Sequence, residues 1–138
     1  MPTLSISPDA RLTAGMLLLT IPLIEFGGAY LLRVVRGRVE LTPFQASFAR
    51  AGHAHAGVLV ILSLICVVLA DATRLDGLAL TVARSGIPLA AILMSAGFFL
   101  SSAHRGATGP NRLIVLLYAG IVSLGAGSVT LAVGLLTA

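Results

Sequence analysis

The amino-acid sequence predicts an all-α integral membrane protein, a four-helix bundle with both termini on the outer side of the membrane. The chain of 138 residues is 57% hydrophobic and only 10% charged, and its mean hydropathy is +1.03, whereas about 25% of the residues of an ordinary soluble domain are charged. Four apolar runs are each close to the ~20 residues that cross ~30 Å of hydrocarbon. Since backbone polar groups in lipid need partners within the chain, each run is predicted to be a helix.

The four spans are predicted at residues 15–35, 47–70, 86–104 and 112–136 of one domain, residues 1–138, because the connections are short and no change of composition divides the chain. The second helix is expected to begin before the membrane does, with Thr42 as N-cap and Pro43 in the first turn. Residues 78–83, LALTVA, are expected to lie flat on the outer surface of the membrane. Gly106, Gly109 and Pro110 predict a turn between the last two helices.

The distribution of the arginines between the loops predicts the topology of the chain in the membrane. Six of them flank the first and third loops, namely Arg33, Arg36, Arg38, Arg50, Arg105 and Arg112, against Arg11, Arg74 and Arg84 elsewhere. The positive-inside rule then places these two loops in the cytoplasm of a multi-pass protein of the bacterial plasma membrane. The same scatter around four helices explains the pI of about 10.7 without a basic face, so no nucleic-acid partner is expected. The N-terminal segment lacks a basic n-region, and a removed signal peptide is not expected.

Glu25 is the most informative residue within a predicted span. It precedes Arg33 by eight residues, which places it about 12 Å inside the cytoplasmic boundary at 1.5 Å per residue. An ionisable group at that depth usually faces a bundle interior or a cavity, where it is protonated, paired or bound to a cation. The alternative is a protonated carboxyl that holds two helices together by a hydrogen bond.

Two of the three histidines lie in the segment RAGHAHAG at the start of the second span. His53 and His55 are expected roughly 5 and 8 Å inside the level of Arg50, and Tyr118 roughly 9 Å inside that of Arg112. At about 100° per residue the two imidazoles point some 160° apart. We predict that His55 faces inward with Glu25, while the orientation of the two remains open, as does a role as interfacial anchors.

These residues predict a polar site near the cytoplasmic side that binds a transition metal or haem. Glu25, His55 and His104 come from three different helices and are suited as ligands of Zn, Fe or Cu. A b-type haem would instead take His53 and His104 as axial ligands. Arg50 and Tyr118 are expected to line the site.

Three other functions remain open. A proton-coupled transporter of small solutes would use Glu25 as the group that carries the proton, with the histidines beside it. A membrane enzyme would act on a lipophilic or thiol substrate. A role in packing or assembly needs no ligand. A homo-oligomer in the lipid bilayer is expected in each case, because the small residues of the helices favour close association.

Several segments resemble known families. RVVRGR and RAGHAHAG, with four spans and a short third loop containing His and Arg, resemble the membrane-associated eicosanoid and glutathione metabolism family, whose members are trimers that often bind glutathione. The Asn and Glu of that family's second helix are absent here, where Ala56, Gly57 and apolar residues follow His55. The histidine-bearing helix start is also similar to those of haem-bearing respiratory oxidases. TPFQASFARAGHAHAG resembles a group of small bacterial four-span membrane proteins, which implies no activity.

Overall fold

The computed structural model describes residues 6–138, and within them the predicted four-helix architecture is confirmed. The helices are α1 (Pro8–Val35), α2 (Pro43–Ala70), α3 (Gly77–Ser101) and α4 (Val115–Leu136), with one 3-10 turn at Arg112–Ile114 before α4. All four are long and apolar enough to cross a membrane. By the length and composition of these helices, the chain is a multi-pass membrane protein.

The first two helices begin at polar caps. The Ser7 hydroxyl accepts a hydrogen bond from the backbone N–H of Ala10 and thereby caps α1. At α2 the predicted cap is a full capping box, because Thr42 and Gln45 each accept a bond from the other's backbone N–H at 3.1 Å. Such reciprocal bonds satisfy donors that a helix start otherwise leaves free. They set the start of α2 eight residues before Ala51 and well before the apolar run.

Residues 78–83 are the first turns of α3, so the prediction that they lie flat on the membrane surface is wrong. Gly77 takes a left-handed conformation, with φ of 51°, and turns the chain from the loop into the helix. Ala83 is fully buried in the bundle and Leu80 packs against the core beside it. An amphipathic segment that finds this packing inside the protein does not need the membrane surface.

The helices pack in chain order, so that α1 and α4 form opposite edges of the bundle. α2 contacts α1 on one side and α3 on the other, and α4 packs mainly on α3. The α3–α4 contact is the tightest, since a Cβ added at Gly86 would lie 2.7 Å from Cα of Gly127. By contrast, only Ala10 and Leu17 of α1 are buried. One edge helix is thus fixed closely and the other is held at few points.

Loops 1 (residues 36–42) and 3 (residues 102–111) lie together, at what we call the loop-1 end. The Thr42 hydroxyl donates to the Ala107 carbonyl. The Gln45 side-chain amide donates to the carbonyls of Ser102 and His104 at 3.1 and 3.0 Å. These bonds join the two arginine-rich loops that the positive-inside rule assigns to one side of the membrane.

At the opposite end, which we call the loop-2 end after loop 2 (residues 71–76), a polar cluster ties the start of α1 to the end of α2 and to α3. The Ser7 backbone N–H and hydroxyl donate to Asp71 at 2.7 and 3.0 Å, and Arg84 forms an ion pair with the same carboxylate. Burial alone would raise the pKa of Asp71, but the hydrogen bonds from Ser7 and Arg84 and the charge of Arg84 hold it below its ordinary value. Asp9, at 3.7 Å from Arg84, is mostly exposed and contributes little.

Candidate functional site

A cavity of about 400 Å³ lies between α1, α2 and α3. Its size is within the range of ligand pockets in proteins. The wall is mainly aliphatic and aromatic, and the chain forms it from Thr13, Met16, Leu17, Thr20, Leu23, Ile24, Gly27, His53, Ala56, Val60, Pro88, Ala91, Ile92, Ser95 and Phe99. The cavity lies along α1, of which only Ala10 and Leu17 are buried against the bundle.

The imidazole of His53 forms one end of this cavity and packs against α1. A Cβ added at Gly27 would lie 3.4 Å from Nδ1, and one added at Gly28 would lie 3.4 Å from Cε1 and 3.5 Å from Nε2. Two consecutive glycines therefore make room on α1 for the ring. The fold places His53, at the loop-1 end of the cavity, as a polar group in a wall that is otherwise largely apolar.

Ser95 is a second polar group in the wall, and its hydroxyl has no hydrogen-bond partner within residues 6–138 although the oxygen is buried. Serines inside helices usually bond back to a carbonyl one turn earlier. Ser63, Ser85 and Ser128 do so here, to the residue four positions before, at 2.6 Å each. The Ser95 hydroxyl lacks such a bond, although Ser95 is a residue of the cavity wall.

His55 lies on the other side of α2, away from the cavity wall. Its ring packs on Phe98 of α3, with centroids 4.9 Å apart. Nδ1 lies 2.8 Å from the Ala51 carbonyl, so Nδ1 carries the proton in the neutral ring and Nε2 is the acceptor. As predicted, His53 and His55 point to opposite sides of α2. Both rings contact a neighbouring helix, His53 on α1 and His55 on α3.

The structure does not bring Glu25, His55 and His104 together. Glu25 is exposed on the outside of α1, and His104 is exposed in loop 3. Within residues 6–138 there is no group of three or more His, Cys, Asp or Glu side chains that could hold a metal ion. A Zn, Fe or Cu site would need the side chains of Glu25, His55 and His104 close together, and within one copy of the chain they are apart.

The remaining predicted residues also lie outside the cavity. Arg50 and Tyr118 are exposed, the latter by 60%. Of the proposed haem ligands, His53 is in the cavity wall and His104 is not. Sequence reasoning missed Ser95 and the cavity itself, since a serine in an apolar helix gives no signal of whether its hydroxyl bonds back to the helix. The Gly27-Gly28 pair is the feature of the sequence that points to a close contact on α1, and in the structure this contact is with the ring of His53.

Comparison of the chain with protein-family models, with curated proteins and with solved structures gave no match. The assignment of a function therefore depends on the geometry of the site.

Proposed function

We propose that the protein binds a lipophilic small molecule in the cavity between α1, α2 and α3, with the polar end of that molecule at His53 and Ser95. The observation that carries this proposal is the buried Ser95 hydroxyl without a partner in the wall of an apolar cavity. A buried polar group without a hydrogen bond is costly, by roughly 1–3 kcal/mol. A ligand oxygen that accepts this bond offsets the cost.

The chemistry of the wall defines the ligand class. Aliphatic and aromatic side chains suit a hydrocarbon body, such as an isoprenoid or acyl chain. The imidazole N–H of His53 and the hydroxyl of Ser95 are donors, and they suit a ligand with an accepting oxygen, such as the carbonyl of a quinone. Such molecules dissolve in the bilayer and reach an intramembrane cavity from the lipid.

The test compares two lipophiles of similar size. Decylubiquinone carries carbonyl oxygens that can accept hydrogen bonds from His53 and Ser95, whereas dodecylbenzene has no hydrogen-bond acceptor of this kind. We expect decylubiquinone to raise the thermal midpoint of the purified protein in detergent more than dodecylbenzene does. Ser95→Ala should weaken its binding about five-fold, as expected for one hydrogen bond of ~1 kcal/mol. His53→Leu should weaken it by a similar factor.

Ser128→Ala is the matched control, because the Ser128 hydroxyl bonds to its own helix on α4 and is not part of the cavity wall. It should leave the difference between the two lipophiles unchanged. Equal midpoint shifts by decylubiquinone and dodecylbenzene, or no loss of affinity in Ser95→Ala, would contradict the assignment of the polar end.

A b-type haem is a second candidate, and the position of His53 in the cavity wall is the observation that favours it. One axial imidazole is sufficient to hold a haem, and the exposed His104 of the same copy is outside the wall. An absorption spectrum of protein purified in mild detergent, with a metal analysis of the same sample, tests this. The haem reading predicts a Soret band that is lost in His53→Ala and kept in His104→Ala. A colourless, iron-free sample would exclude it.

A further inference from the structure

Glu25 presents a carboxyl group to the region that lipid or another protein must occupy. It is exposed on α1 and belongs neither to the cavity nor to the helix contacts. The ion pairs within residues 6–138 both involve Arg84, at the loop-2 end. Since α1 crosses the membrane and Glu25 lies about 12 Å inside the level of Arg33, the carboxyl sits deep in the hydrocarbon. A polar group there is normally covered by protein that offers a hydrogen bond.

The opposite edge of the bundle carries a donor at nearly the same depth. Tyr118 is 60% exposed on α4 and lies about 9 Å inside the level of Arg112. Its hydroxyl forms no hydrogen bond within residues 6–138, and the ring projects from the face that α3 does not cover. Tyr30, the other tyrosine, lies on α1 itself and only about 5 Å inside the level of Arg33. Tyr118 is thus the exposed donor that matches Glu25 in depth.

The exposed surfaces of α1 and α4 are also suited to pack against each other in neighbouring copies. α1 and α4 do not face each other within one copy, because α2 and α3 lie between them. They run in opposite directions through the membrane, and each leaves most of its surface uncovered. Two helical turns after Tyr118, on the same exposed side of α4, a Cβ added at Gly125 would meet nothing within 4 Å. Small residues at such positions let a second helix approach closely in a membrane.

We propose that copies of the chain associate head to tail, with the α1 edge of one copy on the α4 edge of the next and the Tyr118 hydroxyl donating to the Glu25 carboxyl. The interface is heterologous, so repetition of one contact gives a ring where the rotation between copies closes and an open chain of copies where it does not. A two-fold contact of α1 with α1 would place two carboxyl groups against each other and leave Tyr118 in lipid. The head-to-tail contact covers both polar groups at once. This inference does not depend on what the cavity binds.

Cysteine crosslinking distinguishes the two arrangements. Cys66→Ala removes the only cysteine of the chain. Ile21→Cys and Val122→Cys are each four residues from the proposed pair, toward the loop-2 end, and both positions are exposed. In native membranes treated with an oxidant, we expect the double variant to form a ladder of covalent oligomers and each single variant to stay monomeric.

The matched control is Ile61→Cys with Val122→Cys. Ile61 is exposed on α2 and lies at a depth close to that of Ile21, about 17 Å from the arginine level against about 18 Å. At least five-fold less crosslinking is expected for this pair. Random collisions in the bilayer would crosslink both pairs equally, and a dimer formed by Ile21→Cys alone would show the two-fold contact. Either outcome overturns the proposal.

The hydrogen bond itself has a separate readout. Tyr118→Phe and Glu25→Gln keep size and shape while weakening the contact, so the crosslinked fraction of the double-cysteine variant should fall by roughly two- to ten-fold in each. The combination of both changes should fall no further than Tyr118→Phe alone, since Tyr118→Phe already removes the donor, whereas the Gln carbonyl still accepts in Glu25→Gln. Additive losses, or no loss, would contradict the pairing even if the ladder persists.

Discussion

His53 and Ser95 show how single side chains acquire a role from what surrounds them. His53 is a polar ring at a helix contact, held by the space that Gly27 and Gly28 leave on α1. Ser95 differs from Ser63, a fully buried serine of α2, in having no carbonyl partner for its buried oxygen. Both residues line one cavity, which is the basis of the proposed binding site.

Asp71 carries a prediction on pH. Its pKa in the folded protein lies below the 3.8 of the free side chain, so the stabilisation by Ser7 and Arg84 is complete above about pH 4 to 5 and is lost as the pH falls through the folded pKa. We expect the thermal midpoint in detergent to be flat from neutral pH to about pH 5 and to fall below about pH 4. Asp71→Asn should lower the free energy of unfolding at neutral pH by about 2 kcal/mol and thereby lower the thermal midpoint. It should also make the midpoint less dependent on pH below about pH 4.

Asp76→Asn is the control for this prediction, because Asp76 is an exposed residue of the same loop whose side chain forms no cap bond to α3. It should reproduce the wild-type curve. If Asp71→Asn behaves as Asp76→Asn does, the polar cluster does not hold α1 to the bundle.

At the scale of elements, the close contact of α3 with α4 depends on backbone approach at glycines. Gly86→Ala would place a Cβ 2.7 Å from Cα of Gly127, and the backbones must separate. A loss of about 1–3 kcal/mol of unfolding free energy is expected, measured by denaturation in detergent. Gly57→Ala is the matched control, since a Cβ there meets nothing within 4 Å, and it should be neutral or slightly stabilising. Equal losses in both would mean that the contact is looser than described.

The existence of the four helices could be predicted from the sequence, because length and hydropathy decide what crosses a membrane. The start of α2 could also be predicted, from Thr42 and Pro43. The start of α3 could not, since residues 78–83 are equally suited to a membrane surface and to a helix that packs Ala83 inside the bundle. Only the tertiary contact decides between these two.

The direction of each side chain was harder to predict than the helices. In lipid, apolar residues face both the neighbouring helices and the acyl chains, so the pattern of α1 does not mark its inner face. Glu25 was therefore expected inside and lies outside. The pairing of Asp71 with Arg84, from loop 2 and α3, likewise depends on how the helices assemble.

For the whole molecule, the bundle is tight on one side and open on the other. α2, α3 and α4 form the packed part, and α1 encloses a cavity with α2 and α3 while being held at few points. An edge helix held in this way leaves the apolar cavity between α1, α2 and α3. The proposed association through Glu25 and Tyr118 involves the outer surface of α1 and leaves its cavity side free.

The most direct test of lipophile binding is to fill the cavity. Ala56 lines the cavity on α2, whereas Ala54, two residues earlier, is exposed. Ala56→Phe and Ala54→Phe therefore add the same ring inside and outside the site. Organic extracts of the purified proteins would be analysed by mass spectrometry for lipophiles retained in a fixed ratio to protein. We predict one such molecule in wild type and in Ala54→Phe and its loss in Ala56→Phe; equal retention in the two variants, or none in wild type even after reconstitution with decylubiquinone, would contradict the assignment of the cavity as a binding site.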